Sequence, residues 1–334
     1  MTLAALSKTA VAAPKITKPT IALFSGDPAG IGPELVAKLL TEKIADKSAL
    51  ANARVILIGN AAGFETDFDR IEGVSVHDWD GLAAPACERG VVSQANGRYM
   101  LTALTEGARL VTSGQAHALC FAPLNKGALR AGGMHQEDEM RWFSDLLDHS
   151  GSCGELNVLE GLWTSRVTSH VPLNHVSSLL SAEKVAQAIE MITRALRASG
   201  KSNPRIAVCG LNPHNGDNGN YGDEEGRIIA PGVKLAATNG YLADGPFPAD
   251  TAFVRAIRKD GQGYDGVVTM YHDQGQIAMK LMGFERGVTV QGGLPIPITT
   301  PAHGTAYDIA GKGLANPQAM RNAFELACRM ALVV

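Results

Sequence analysis

Two histidines, two aspartates, two lysines and a glycine-rich segment fall within residues 267–313 of this 334-residue chain. The apolar run Val267–Tyr271 predicts a buried strand, and His272-Asp273-Gln274-Gly275 follows at once. In an open α/β sheet, ligands bind just beyond the carboxyl ends of strands. An imidazole beside a carboxylate at such a point is a candidate site; a polar strand end that only turns the chain is the competing reading. Lys280 lies eight residues after His272. It could bind an anionic substrate, act as an acid or base, or stand in solvent on a helix. His303–Gly313 predicts a loop carrying His303 and Gly304 that enters a helix at Thr305. Amides at a helix N-terminus and small residues suit close approach of a nucleotide. Capping accounts for the same residues, with Thr305 as N-cap and Gly311 as stop.

Three histidines share one context. His170 follows Trp163–Ser169, His214 follows Ile206–Gly210 and His272 follows Val267–Tyr271, each after a strand-like run. Parallel strands end on one side of a sheet, so the three can converge. Neutral imidazole is a common metal ligand, and three such ligands with an open position suit a catalytic divalent ion that polarises an oxygen. Asp250 and Asp273 could orient or join these ligands. Nothing in linear spacing forces the three together, and a lone histidine is usually only hydrogen-bonded.

The elements that must position these groups alternate. Thr20–Ser25, Val55–Ile58, Ala118–Ala122, Ile206–Gly210 and Val267–Tyr271 predict strands; Gly97–Ser113, Ala182–Ala198 and Asn316–Val333 predict amphipathic helices. Leu156–His170 predicts strands in a hairpin. This order implies α/β architecture with a largely parallel sheet. Gly26–Glu34 (GDPAGIGPE) joins a strand to a helix, yet matches neither GxGxxG nor GK[ST], so its chemistry stays unassigned. The formal charge of −3 leaves no electrostatic footprint for nucleic acid, and no apolar run reaches the roughly 18 residues of a membrane span. Five scattered cysteines without a CxxC indicate a reducing compartment, with the cytoplasm as default. Residues 1–18 read as a disordered leader without the apolar centre of a signal peptide.

These motifs carry a resemblance. HGTAYDIAGKGLANP, from His303, resembles the nucleotide-binding loop of the isocitrate and isopropylmalate dehydrogenase group. GDPAGIGPE, SHVPL at His170, LNPHNGDNG at His214, PADT at Asp250 and MYHDQGQIAMK through Lys280 together resemble the PdxA family, 4-hydroxythreonine-4-phosphate dehydrogenase and its relatives. The resemblance runs from about Thr20 to the C-terminus. It implies two α/β domains with the active site in a cleft between them: residues 19–130 with 300–334, and 131–299, the latter carrying the metal site and the homodimer contact. It implies a divalent metal (Zn, Mg or Co) on His170, His214 and His272, with Lys280, Asp273 and Asp250 in the catalytic apparatus. It implies NAD held by His303, Gly304, Thr305, Ala306 and Asp308, although Asp308 is compatible with NADP as well. The implied reaction oxidises a secondary alcohol of a hydroxy acid, followed by loss of CO₂.

The substrate positions depart from the family pattern. Implied substrate contacts are Lys126, Asp138, Lys280 and Thr289. The histidine of a P-x-H-K motif is replaced by Asn125, Glu137-Asp138-Glu139 stands where His-Thr-Glu is expected, and the family's substrate-contacting Asn and Arg fall on Thr289 and Ile298. Losing a cation and gaining carboxylates weakens a phosphate site. The alternatives are therefore a terephthalate cis-dihydrodiol, a four-carbon sugar-acid phosphate, or a non-catalytic metabolite-binding protein on the same scaffold.

Overall fold

β1 (Thr20–Phe24) opens the sheet, and four of its five residues are buried because helices cover both faces. In this computed structural model the described residues are 17–42, 53–59, 68–77, 85, 87–159 and 161–333. Most of the expected leader lies outside them. α1 (Gly32–Glu42) carries Glu34 in its first turn and leads to β2 (Arg54–Ile58) and β3 (Val74–His77). α2 (Gln94–Thr112) starts where the Ser93 side chain accepts from the Asn96 amide. β4 (Ala118–Phe121), α3 (Lys126–Gly132) and α4 (Glu139–Leu146) complete the first half apart from one returning strand.

The second half begins with the expected hairpin, β5 (Gly154–Leu159) and β6 (Leu162–Arg166), paired antiparallel. A short α5 (Val176–Leu179) precedes α6 (Ala182–Ala198), whose buried stripe includes Val185, Ile189, Ile192 and Leu196. Then come β7 (Ile206–Cys209), α7 (Ala230–Thr238), β8 (Asp244–Phe247), α8 (Ala249–Ala256), β9 (Gly266–Thr269) and α9 (His272–Gly283). The chain returns through β10 (Val288–Gly292) and β11 (Ile298–Pro301) and closes with α10 (Gln318–Ala331).

These strands form one eleven-stranded sheet, in the order β3-β2-β1-β4-β11-β10-β5-β6-β9-β7-β8. β3 to β11 run parallel, and so do β6, β9, β7 and β8. Between them β11, β10, β5 and β6 pair antiparallel. Strands β4, β7 and β9 of the parallel parts are buried throughout and almost wholly apolar, as strands covered on both faces must be. The antiparallel centre breaks that rule: Asn157, Thr164, Ser165, Thr289 and Gln291 are buried polar residues inside its strands. All five cysteines are free thiols, as their scatter predicts. Among the described residues no helix is long and apolar enough to cross a membrane.

Candidate active site

β9 delivers α9 to the carboxyl edge of the sheet. Gln274 fixes the junction: its Oε1 accepts from the Met270 amide at 2.7 Å and its Nε2 donates to the Gly210 carbonyl, just past β7, at 3.0 Å. His272, Gln276 and Lys280 are four residues apart, so they share one helical face. All three line a cavity of about 330 Å³ that Lys126, His303 and Gly304 also line. Residues that the sequence suggested for metal, substrate and nucleotide are thus gathered around one space.

Two of the three histidines meet. The His170 and His272 rings are 5.7 Å apart between centroids. His272 Nδ1 lies 2.6 Å from an Asp273 carboxylate oxygen, which fixes the ring and leaves Nε2 as the available ligand atom. Among the described residues no three His, Cys, Asp or Glu side chains gather closely enough to hold a metal ion. His214 lies in the loop after β7. His214, Asn215, Asp217 and Asn218 all take left-handed backbone conformations, and Asn215 Nδ2 donates to the Pro246 carbonyl at 2.8 Å, tying the loop to β8. Asp250, exposed in the first turn of α8, is not among the residues lining the cavity.

Beneath α9 is a polar floor that the sequence did not signal as a site. Arg166 donates from Nη2 to Glu155 at 2.5 Å, from Nη1 to the Asn157 carbonyl oxygen at 3.0 Å and from Nε to Ser169 at 2.9 Å. Gln276 Nε2 donates to the same Asn157 oxygen at 2.6 Å, and Asn157 Nδ2 donates to Thr289 Oγ1 at 3.3 Å. Asn157 and Thr289 are direct partners in the β5–β10 register. Polar letters inside the strand sequences GELNVL and LWTSR were the only hint. Glu155 and Arg166 also line a second cavity of about 440 Å³, with Asp138 and His170. Glu155 therefore belongs to the walls of both.

The nucleotide-type loop differs from its expected form. No α-helix begins at Thr305. Ala306 is left-handed at φ 41°, and only a single 3₁₀ turn, Tyr307–Ile309, follows without a side-chain cap. The glycine loop after β1 holds it in this shape. Ile31 N donates to the Thr305 carbonyl at 3.0 Å, and a Cβ on Gly30 would sit 2.9 Å from Thr305 Cβ. Fully buried Asp27 accepts from the Tyr307 hydroxyl at 2.5 Å and from the Ala29 amide at 2.9 Å. Burial pushes the Asp27 carboxyl up, and burial together with Asp27 pushes the Tyr307 phenol up. The GDPAGIGPE motif thus has a structural role as the backing of the 303–309 loop. Asp308 is exposed in the 3₁₀ turn.

The other substrate candidates sit at helix starts. Asn125 caps α3 by accepting from Ala128 N, which places Lys126 at the first helical position on the cavity wall. Asp138 caps α4, its Oδ1 accepting from Arg141 N at 2.9 Å. Glu139 follows it, 3.9 Å from Lys126 Nζ. Burial raises the Glu139 pKa, only partly offset by Lys126. A raised folded pKa means stability present below the unfolded value and lost as pH rises through the folded one. Glu139→Gln is therefore expected to leave the melting temperature unchanged near pH 4 and to raise it at pH 8; melting curves at the two pH values check this.

A family model described as "Pyridoxal phosphate biosynthetic protein PdxA" matches residues 34–327. The chain belongs to the PdxA family. A Pseudomonas aeruginosa protein named "Putative 4-hydroxythreonine-4-phosphate dehydrogenase 2" is 51% identical over 331 residues, covering 93% of this chain and 97% of that one. D-threonate 4-phosphate dehydrogenase of Salmonella typhimurium is 36% identical over 332 residues, covering 93% and 99%. Among solved structures, 4-hydroxythreonine-4-phosphate dehydrogenase from Klebsiella pneumoniae superposes with a TM-score of 0.80 at 34% identity, over 94% of this chain and 98% of that one. Within the PdxA family frame, the two departures in the connector resolve differently. Thr289 lines the cavity under Asn157, whereas Ile298 is fully buried in β11 against the apolar core.

Proposed function

We propose that this chain is an NAD-dependent, divalent-metal-dependent dehydrogenase that oxidises the secondary alcohol of a phosphorylated hydroxy acid and then releases CO₂. The carrying observation is the facing of the His272–Gln276–Lys280 side of α9 and the His303–Gly304 loop across one cavity. The relatives named above are dehydrogenases of 4-hydroxythreonine 4-phosphate and D-threonate 4-phosphate, and this reading takes its substrate class from them. When bound, NAD takes up the hydride and the metal ion polarises the alcohol oxygen.

The chain's own residues supply the rest. His170 and His272 provide two adjacent imidazoles with the chemistry of a metal site, and Asp273 orients the second. His214 completes the set in this proposal; its left-handed backbone is the kind of strained conformation held at functional sites. Lys280 and Lys126 give the cavity positive charge for the substrate's anionic groups. His303 and Gly304 border the cavity where a nicotinamide would approach, and Asp27 with Tyr307 keeps that loop in place. The division into residues 19–130 with 300–334 and residues 131–299, with a homodimer formed through the second unit, is part of the proposal. Val254 and Ile257 on and just after α8, and Ile277 and Leu281 on α9, are exposed apolar side chains available to such a contact.

The test is nicotinamide reduction followed by absorbance, with 4-hydroxythreonine 4-phosphate, D-threonate 4-phosphate and a dihydrodiol carboxylate, each with and without a chelator. Turnover of a phosphorylated acid that stops with chelator and returns with added divalent ion is expected. Turnover insensitive to chelator, or none with any acid, would overturn the reading.

A further inference from the structure

The polar floor of the cavity has a fixed hydrogen-bonding sense. Arg166 carries only donors, and Glu155 holds its guanidinium in place. The Asn157 atom facing Arg166 is therefore the carbonyl oxygen, and the amide cannot be flipped without setting donor against donor. Gln276 meets that same oxygen, so it must present its own NH₂ there. This leaves the Gln276 carbonyl oxygen as an acceptor. Asn157 keeps one N–H beyond the bond to Thr289 as a donor. The strand and the helix together present one donor and one acceptor at the wall of the cavity between His272 and Lys280.

Resting on the dehydrogenase reading above, we propose that Asn157 and Gln276 determine substrate specificity by selecting a hydroxyl, not an ammonium, on the substrate's carbon chain, so that the preferred substrate is a polyhydroxy acid phosphate and not its amino analogue. A hydroxyl is donor and acceptor at once and satisfies both groups. An ammonium has three donors and no acceptor, and would leave the Asn157 N–H facing another N–H. Charge points the same way. The two carboxylates lining the cavity are Glu139 and Glu155. Glu155 is committed to Arg166, and Glu139 has Lys126 beside it. Among the described residues the cavity wall carries no other carboxylate to pair with an ammonium, and it carries the cations Lys126 and Lys280. A buried ion pair in the middle of a sheet is a poor source of stability, so the Glu155–Arg166 pair is better explained by the orientation it imposes on Asn157.

The experiment compares D-threonate 4-phosphate with 4-hydroxythreonine 4-phosphate, which carry a hydroxyl and an amine on the carbon next to the carboxylate. Calorimetric binding to the full chain without dinucleotide reads the selection independently of turnover, and kcat/KM for each acid reads it during turnover. The wild type should bind the hydroxy acid at least tenfold tighter. Asn157→Asp, which puts an acceptor where the donor was, should shift that ratio at least tenfold toward the amino acid. Gln276→Met should bring it close to one, and circular dichroism verifies the fold of both. A wild-type preference for the amino acid, no binding of either acid, or variants that weaken both acids equally would overturn the proposal. A binding preference without nicotinamide reduction by either acid would leave the selection standing and remove the dehydrogenase reading instead.

Discussion

Substituting alanine for His272 is expected to lower kcat/KM by about 10³-fold or more, and Asp273→Ala by only about 10- to 100-fold. The difference follows from position. His272 opens α9 on the cavity wall with its ring beside His170, so under the proposed function its loss removes a metal ligand outright. Asp273 does not line the cavity; it touches His272 Nδ1 and acts by fixing the ring and its tautomer. A chain lacking Asp273 keeps both imidazoles and loses only their alignment. Metal content of the purified variants separates the two cases: His272→Ala should emerge with the ion largely lost, Asp273→Ala with weakened but measurable occupancy. Equal losses for the two substitutions would show that the carboxylate is itself a ligand. Unchanged activity in His272→Ala would remove the imidazoles from the mechanism.

The reach of the sequence differs between its patterns and its sites. Long apolar and amphipathic stretches named their own structure: Ala182–Ala198 and Ile206–Cys209 lie where periodicity puts them. The alternation of strands and helices also gave the α/β class. It could not show that one sheet runs through both halves, because the antiparallel pairing of β10 with β5 joins residues 130 or more apart. At the site, His272, Lys280, Lys126 and His303 were visible as motif residues, and the fold brings them to one cavity. The helix expected at Thr305 was a reading of capping preference alone. Long-range contacts from Asp27 and Ile31 override it, and such contacts leave no trace in local spacing. Asn157 and Arg166 were hidden for a related reason. A polar residue in a strand usually marks a solvated face, and only cross-strand register reveals that these two line cavities.

The second large effect is on stability. Gly97→Ala is expected to destabilise the protein by about 2–4 kcal/mol and to lower the melting temperature by roughly 3–6 °C. Gly97 on α2 and Gly132 on α3 are where the two helices touch backbone to backbone. A Cβ built on Gly97 would stand 1.8 Å from the Ala128 carbonyl oxygen and 2.9 Å from Gly132 Cα. No rotamer relieves a contact with backbone, so the helices must separate. α3 resists, because Ala128 and Leu129 are completely buried. Alanine gains about 1 kcal/mol in helix propensity over glycine, too little to offset this clash. Gly114 provides the contrast. It is exposed and left-handed at φ 76°, and a Cβ there meets nothing within 4 Å. Gly114→Ala should cost only the backbone strain, about 1–2 kcal/mol. The Gly97 effect also reaches the site, since α3 begins at Lys126 on the cavity wall and a shift of about 1 Å in a positioned group can lower turnover by about 10²-fold. Gly97→Ala should therefore lose activity at temperatures where it remains folded, and Gly114→Ala should not; a stable, fully active Gly97→Ala protein would mean that α3 can move without carrying Lys126 out of place.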